Sequence, residues 1–248
     1  MTYKAEAPSK ASDQLGFRPK RFWQVACAVA DGGIYEVHLD GRPVKTPTGK
    51  VLRLPGAALA EAVAAEWAAV DKHVEFADMP LTRLGFAASD RMDERHEDTV
   101  AEVLRYAETD LLCYPSDYPE ALKAREAAAW LPLLDWARTE LDLDFHQNKT
   151  LIHQPQPAET TQKISELLTA MNAFERAGLM AAIPLFGSVV LALAVWRGHL
   201  TGEQAFAASR IGEDFQTEQW GHDAEADQRA AGHRAQAASC DVWFRGLS

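Results

Sequence analysis

Three cysteines and eight histidines are the side chains of this 248-residue chain best suited to nucleophilic or metal chemistry. Cys113 stands in the stretch YAETDLLCYP, at the end of a predicted helix and three residues after Asp110. A reactive cysteine needs a cation or a helix N-terminus to stabilise its thiolate. The C-terminal end of a helix disfavours that negative charge. We therefore predict a buried, structural role for Cys113.

One group of possible metal ligands is His222, Asp223, Glu225 and Asp227. On a helix only residues three or four positions apart share a face, so these side chains do not converge on one ion. The sequence contains no glycine-rich phosphate loop, nucleophile elbow or HExxH motif. We predict neither a metal site nor a cofactor.

Charge and cysteine usage restrict the partners and the compartment. Acidic residues outnumber Lys plus Arg by 36 to 25, and the net charge is −11. Nucleic acids and anionic membrane surfaces bind to basic surfaces, which excludes both as main partners. Three cysteines far apart in the chain match neither a disulfide framework nor a zinc site and indicate a reducing compartment.

The first third of the chain is typical of a small sheet and the rest of a helical bundle. Residues 22–54 alternate apolar and polar side chains between glycine turns, and Asp40-Gly41 favours a type I′ hairpin turn. From Pro55 the apolar period becomes helical. Thr201 with Gln204, and Asp117 with Glu120, have the spacing of a capping box. We predict helices at roughly 83–112, 118–141, 159–175, 178–197 and 202–237, and an extended loop at 145–157.

The predicted fold class is therefore α+β, with a small β-rich N-terminal domain followed by a larger all-α helical-bundle domain. We place the β-rich domain, which includes one helix, at residues 17–82 and the helical domain at 83–248. The polar residues 1–16 are expected to form a disordered tail. Residues 177–196 contain no charge and are long enough to span a bilayer. Pro184, Gly187, Ser188 and several alanines favour a buried bundle helix, and a membrane segment is the alternative.

Trp220 is the aromatic residue with the most polar surroundings. It follows the stretch GEDFQTEQ, beside Glu213, Gln216 and Glu218. An exposed aromatic side chain among polar ones is typical of a protein interface. The alternative is that Trp220 packs into a groove of its own bundle.

Several sequence blocks, in one order, resemble a known family. They are GRPVKTP, LAEAVAAEW, MPLTRL with SDR shortly after it, TDLLCYP, WLPLLDWA and SRIGEDFQTEQWG. Together they extend from about residue 21 to about residue 225. This arrangement resembles the assembly chaperones of F-type ATP synthase that are dedicated to the α subunit.

The resemblance implies a function and a site. The family is not enzymatic, and it holds the unassembled F1 α subunit until the β subunit replaces it. Its functional acidic position corresponds here to Glu213, with Asp214 as the second choice. Together with the argument for an exposed Trp220 among polar side chains, this predicts a partner-binding surface of Glu213, Asp214, Gln216, Glu218 and Trp220.

Two further expectations and one alternative follow. Because the chain begins with acidic residues and lacks an Arg- and Ser-rich presequence, we expect a bacterial cytoplasmic protein, or a matrix protein if it is a processed form. We expect a monomer. The alternative function is a small-molecule enzyme that uses Cys113 or a cleft between the two predicted domains.

Overall fold

The computed structural model describes residues 19–148 and 152–247. The predicted tail at residues 1–16 lies outside these ranges. The N-terminal part contains a four-stranded antiparallel sheet. Its strands are β1 (Ala26–Asp31), β2 (Ile34–Leu39), β3 (Arg42–Pro43) and β4 (Arg53–Leu54).

The sheet is built around β2. β1 pairs with its whole length, and β3 and β4 pair with its two ends from the other side. Asp40 and Gly41 have φ values of 46° and 78°. Since a type I′ turn requires positive φ at both central residues, the predicted hairpin is confirmed. Val37 and Leu39 are buried on one face of β2 and contribute to the core.

Within the described ranges, ten α-helices follow the sheet. They are α1 (Ala57–Ala69), α2 (Pro80–Asp90), α3 (His96–Glu108), α4 (Glu120–Leu141), α5 (Ala158–Ala170), α6 (Ala173–Phe186), α7 (Val189–Trp196), α8 (Gly202–Ser209), α9 (Ile211–Trp220) and α10 (Ala224–Arg245). A sheet with a predominantly helical remainder confirms the α+β fold class. The described parts of the loop between α4 and α5 form neither helix nor strand, as predicted.

The long predicted helices are interrupted in the structure. The run 83–112 is divided by a turn at residues 91–95 into α2 and α3. The run 202–237 contains α8, α9 and α10. Gly221 ends α9 with a φ of 92°, and Asp223 then caps α10 by accepting a 2.8 Å hydrogen bond from the Ala226 amide.

The apolar segment 177–196 is also two helices and not one. Gly187 stops α6 in the left-handed region at a φ of 63°. Ser188 begins α7 by accepting a 3.1 Å hydrogen bond from the Leu191 amide. Within residues 19–148 and 152–247, no helix combines the length and apolar character needed to cross a bilayer.

Of the two predicted capping boxes, one is confirmed. Thr201 accepts a hydrogen bond from the Gln204 amide, and the Gln204 side chain accepts one from the Thr201 amide. The box at Asp117 and Glu120 is wrong. Pro119 occupies the N-cap position of α4, and a proline side chain offers no hydrogen-bond acceptor.

One continuous core joins the sheet to the helices. Buried apolar side chains form a single cluster from Trp23 to Phe244. α10 returns to α1, where Gly246 lies so close to Leu59 that a Cβ atom would approach its backbone to 3.0 Å. The division into two domains at residue 82 stays a prediction.

Candidate functional site

The predicted partner-binding residues lie on α9, a short helix with one buried anchor. Phe215 is the buried residue of α9. The guanidinium group of Arg125, on α4, lies 5.1 Å from the centroid of the Phe215 ring, which is a cation–π distance. Glu213, Asp214, Gln216, Glu218 and Trp220 are all exposed. Phe215 thus fixes the helix and leaves its other faces in solvent.

The two candidate acidic residues share one cation. Arg210 contacts Glu213 at 2.6 Å and Asp214 at 3.3 Å, through different guanidinium nitrogens. The arginine itself is largely covered and lies 5.4 Å from the Phe206 ring centroid. One arginine facing two carboxylates leaves this end of α9 with a net negative charge.

The other end of α9 presents an amphipathic surface. Glu218 forms a 2.8 Å ion pair with Arg125. Trp220, the last residue of α9, is 81% exposed. Tyr118 is exposed to a similar extent, but Trp220 stands beside the candidate acidic residues, and tryptophan is enriched among the hot spots of protein interfaces.

A groove of about 370 Å³ separates α9 from α10. Glu213, Gln216 and Trp220 line its α9 side, and Arg229 and His233 line its α10 side. The structure therefore brings three of the five predicted residues into one groove. Asp214 and Glu218 flank it.

Sequence reasoning missed the α10 side of this groove, because it treated residues 202–237 as one helix. Arg229 and His233 face α9 only because the chain turns between the two helices. The sequence did contain two signals for this turn. Gly221 is a glycine, which readily adopts a positive φ, and Asp223 is of a residue type preferred at helix N-caps.

Cys113 is completely buried. Burial raises the pKa of its thiol, and the neighbouring Asp110 carboxylate raises this pKa further. Cys240 is also buried, and burial raises the pKa of its thiol to about 12. Both environments disfavour a thiolate at neutral pH.

His222 lies 3.2 Å from Asp227. Across the described ranges, no group of three or more His, Cys, Asp or Glu side chains is arranged to hold a metal ion. This pair therefore has the geometry of an exposed ion pair, available when the histidine is protonated.

Three of the sequence blocks tie elements together through buried or half-buried carboxylates. Glu66, in LAEAVAAEW, accepts 2.8 Å hydrogen bonds from the amides of Leu81 and Thr82, at the start of α2. Asp90, in SDR, accepts hydrogen bonds from the hydroxyls of Thr46 and Thr48 at 2.8 and 2.5 Å. These contacts fix α2 to α1 and to the loop between β3 and β4.

Asp110, in TDLLCYP, has the same kind of role. It is fully buried and accepts hydrogen bonds from the Leu112, Val189 and Val190 amides at 3.0, 2.7 and 3.1 Å. Two of these donors are the first amides of α7, which have no partner within their own helix. The block therefore positions α7 in the core.

The α+β scaffold that carries this exposed acidic and aromatic helix is shared with solved structures of chaperones. The crystal structure of Atp12 from Paracoccus denitrificans is similar, with a TM-score of 0.84 and 37% identity over 92% of this chain and 98% of that one. An aspartate-to-lysine mutant of the same relative matches equally well. A candidate chaperone from Agrobacterium tumefaciens has a TM-score of 0.85 and 34% identity over 93% of this chain and 87% of its own.

Sequence comparison agrees. Residues 20–138 match the model of the ATP12 chaperone protein family. The mitochondrial protein atp12 of Schizosaccharomyces pombe is 26% identical over 228 residues, which are 86% of this chain and 78% of that protein. The chain belongs to the ATP12 chaperone family, whose members are ATP synthase assembly factors.

Proposed function

We propose that this protein binds the unassembled α subunit of the ATP synthase F1 sector and prevents its aggregation until the β subunit replaces it. Family membership supports the assembly role, and α9 supplies a surface for the contact. The observation that carries the proposal is the 81% exposed Trp220 at the edge of a groove that Glu213 and Gln216 also line. In this proposal the protein acts by binding and catalyses no reaction.

The physical demands on such a protein agree with this surface. An unassembled subunit exposes an apolar patch that is normally buried against its neighbour, and such patches cause aggregation. The chaperone has to cover the patch and still release it, which favours a moderate, partly polar interface. A tryptophan can supply most of the binding energy, while the acidic residues increase the rate and specificity of encounter.

The acidic residues of α9 contribute little to the fold. Glu213 and Asp214 pair with Arg210 at the surface, and such pairs stabilise a protein by roughly 0–1 kcal/mol. Phe215 anchors the helix without them. A charge change at Glu213 is therefore expected to alter binding and to leave the fold intact.

We further propose that the protein works as a monomer in the compartment where F1 is assembled. A bacterial cytoplasm agrees with the bacterial origin of the similar solved structures. A mitochondrial matrix would agree with the S. pombe relative.

The test is capture of freshly made, unassembled α subunit by wild type and by Glu213→Lys. We expect Glu213→Lys to reduce capture about tenfold or more, because it reverses the charge of the proposed contact. The matched control is Asp135→Lys on α4. The side chains of Glu213 and Asp135 are 66% and 64% exposed, and each pairs with an arginine three residues away.

Thermal unfolding of both variants shows whether they are folded. Equal capture by wild type and folded Glu213→Lys would overturn the assignment of α9 as the contact surface. Loss of capture in both charge reversals would indicate a general effect of net charge.

A further inference from the structure

One cavity in the described part of the chain lies beside α2, and Thr48 and Asp90 are among the residues that line it. It has a volume of about 540 Å³ and is enclosed by α2, α6, α10 and the loop after β3. This volume is within the roughly 300–1,000 Å³ typical of ligand pockets. We call it the α2–α10 cleft.

The lining of the α2–α10 cleft is mainly apolar. Leu84 and Phe86 of α2 face Leu185 of α6, and Pro47 closes one side. Leu84, Phe86 and Leu185 are half-buried, so part of their apolar surface remains in contact with solvent.

Two arginines that line the cleft form no ion pair within the described residues. Arg83 and Arg91 are exposed, and their guanidinium groups form no ion pair or hydrogen bond with residues 19–148 or 152–247. Elsewhere in this acidic protein, Arg125, Arg138 and Arg234 each contact a carboxylate. Arg42 and Arg105 likewise form no ion pair with a described residue. The cleft differs in placing two such arginines beside one apolar lining.

Asp90 is the acidic residue among the described residues that line the cleft, and its carboxylate already accepts hydrogen bonds from neighbouring residues. Its carboxylate accepts hydrogen bonds from the hydroxyls of Thr46 and Thr48 and from the Thr48 amide. Those bonds lower the pKa of Asp90 against the opposing effect of its burial. Asp90 therefore stays ionised at neutral pH, and with the two arginines it leaves the lining with a net charge of about +1.

The cleft continues the groove beside α9 along one helix. Arg229 and His233 line the groove, and Gln236 and Cys240 line the cleft. Their spacings of four, three and four residues keep them on one face of α10. At about 1.5 Å per residue, the centres of the two groups lie about 11 Å apart along the helix axis. One extended segment of a few residues would reach both.

We propose that the α2–α10 cleft binds an extended polypeptide segment in which carboxylates alternate with apolar side chains. The apolar side chains enter between Leu84, Phe86 and Leu185, and the carboxylates accept charge-assisted hydrogen bonds from Arg83 and Arg91. That this segment belongs to the client subunit rests on the proposed function. The chemistry of the cleft does not depend on it.

The experiment uses the full chain and two labelled model peptides. One is a ten-residue fluorescein-labelled peptide of alternating leucine and glutamate, and the other has lysine in place of glutamate. Binding is measured by fluorescence anisotropy with wild type, with the double variant Arg83→Gln/Arg91→Gln, and with Arg105→Gln. Arg105 is the matched control, an exposed arginine on α3 outside the cleft lining.

We expect saturable binding of the glutamate peptide to wild type and to Arg105→Gln. The double variant should bind it about tenfold more weakly, and wild type should bind the lysine peptide at least as weakly as that. Equal affinity of wild type and the double variant would overturn the proposal. Displacement of the peptide by an equal concentration of inorganic phosphate would do the same, since it would indicate a simple anion site.

A second variant locates the bound peptide. Gln236→Cys, made together with Cys27→Ser, introduces one exposed thiol at the rim, because Cys113 and Cys240 are buried. An environment-sensitive dye at this position should change its emission when the glutamate peptide binds. Binding without a change in emission would place the peptide elsewhere and contradict the proposal.

The two proposals fail in different ways. If the protein does not capture the α subunit but binds the glutamate peptide through Arg83 and Arg91, the proposed function is wrong and the cleft assignment stands. If capture is normal and the peptide does not bind, the cleft assignment alone is wrong.

Discussion

At the residue scale, buried carboxylates join the starts of helices to other elements of the fold. Asp110 is the clearest case, because all its surroundings are protein. Burial raises its pKa from 3.8 to about 6, although bonds from Ser188 and from the Leu112, Val189 and Val190 amides act in the opposite direction. Desolvation of the charge thus outweighs the hydrogen bonds that favour it.

This raised pKa predicts a pH-dependent contribution to stability. Because the pKa of Asp110 is higher in the folded state, the folded protein binds more protons than the unfolded one between about pH 4 and pH 6. The contribution is fully present below about pH 4 and is lost as the pH rises through 6. A shift of this size corresponds to about 3 kcal/mol.

The measurement is urea unfolding of wild type and Asp110→Asn at several pH values. We expect the free energy of unfolding of wild type, relative to Asp110→Asn, to fall between pH 4 and pH 6.5 and to stay constant above pH 7. The comparison cancels the titration of other groups. A difference that grows with pH would show that the hydrogen bonds lower the pKa of Asp110 more than burial raises it.

At the scale of elements, glycines set how closely the helices approach. Gly202 begins α8 where it crosses α10, and a Cβ atom there would overlap the backbone carbonyl oxygen of Ala237. Gly232 lies within α10 and has no atom within 4 Å of an added Cβ. Replacing glycine by alanine should therefore disturb helix packing at position 202, whereas at position 232 it should change only the conformational preference of the backbone.

We expect Gly202→Ala to lower the free energy of unfolding by about 1–3 kcal/mol, because the two helices have to separate. Gly232→Ala should raise it by about 0.4–1 kcal/mol, because alanine favours a helix and restricts the unfolded chain. Urea denaturation measures both. A neutral Gly202→Ala would contradict the close crossing of α8 and α10.

Local signals predicted the sheet well and the helix boundaries less well. The hairpin at Asp40-Gly41 depends on neighbouring residues, and the sequence alone was sufficient. The break at Gly187 and Ser188 was not predicted, since the apolar side chains on both sides continue without interruption. In the bundle, both faces of α7 are buried, so no polar stripe marks where one helix ends.

Of the groove between α9 and α10, the sequence predicted only the α9 side. The exposure of Trp220 followed from its polar neighbours, because a tryptophan on a charged helix has no apolar face to join. The opposing Arg229 and His233 depend on how α9 packs against α10. Arg83 and Arg91 line the cleft together with Leu185 and Gln236, which are about 100 residues or more away in the sequence. The periodicity of apolar residues along a helix does not predict such long-range contacts.

At the scale of the whole molecule, the surface combines a net negative charge with two candidate binding surfaces. The α9 groove has an exposed tryptophan beside carboxylates, and the α2–α10 cleft has arginines beside apolar side chains. Both lie along one face of α10. A client held at two moderate sites can be released stepwise when another subunit competes for one of them, which suits transient capture.

We propose above that this protein holds the ATP synthase α subunit until the β subunit replaces it. The most direct measurement is light scattering of freshly made α subunit with an equimolar amount of this protein, followed by addition of β subunit and size-exclusion chromatography. We predict suppressed scattering, a one-to-one complex before β is added, and free chaperone with an αβ complex afterwards. Unchanged aggregation of the α subunit, or a complex that persists in excess β subunit, would contradict the claim.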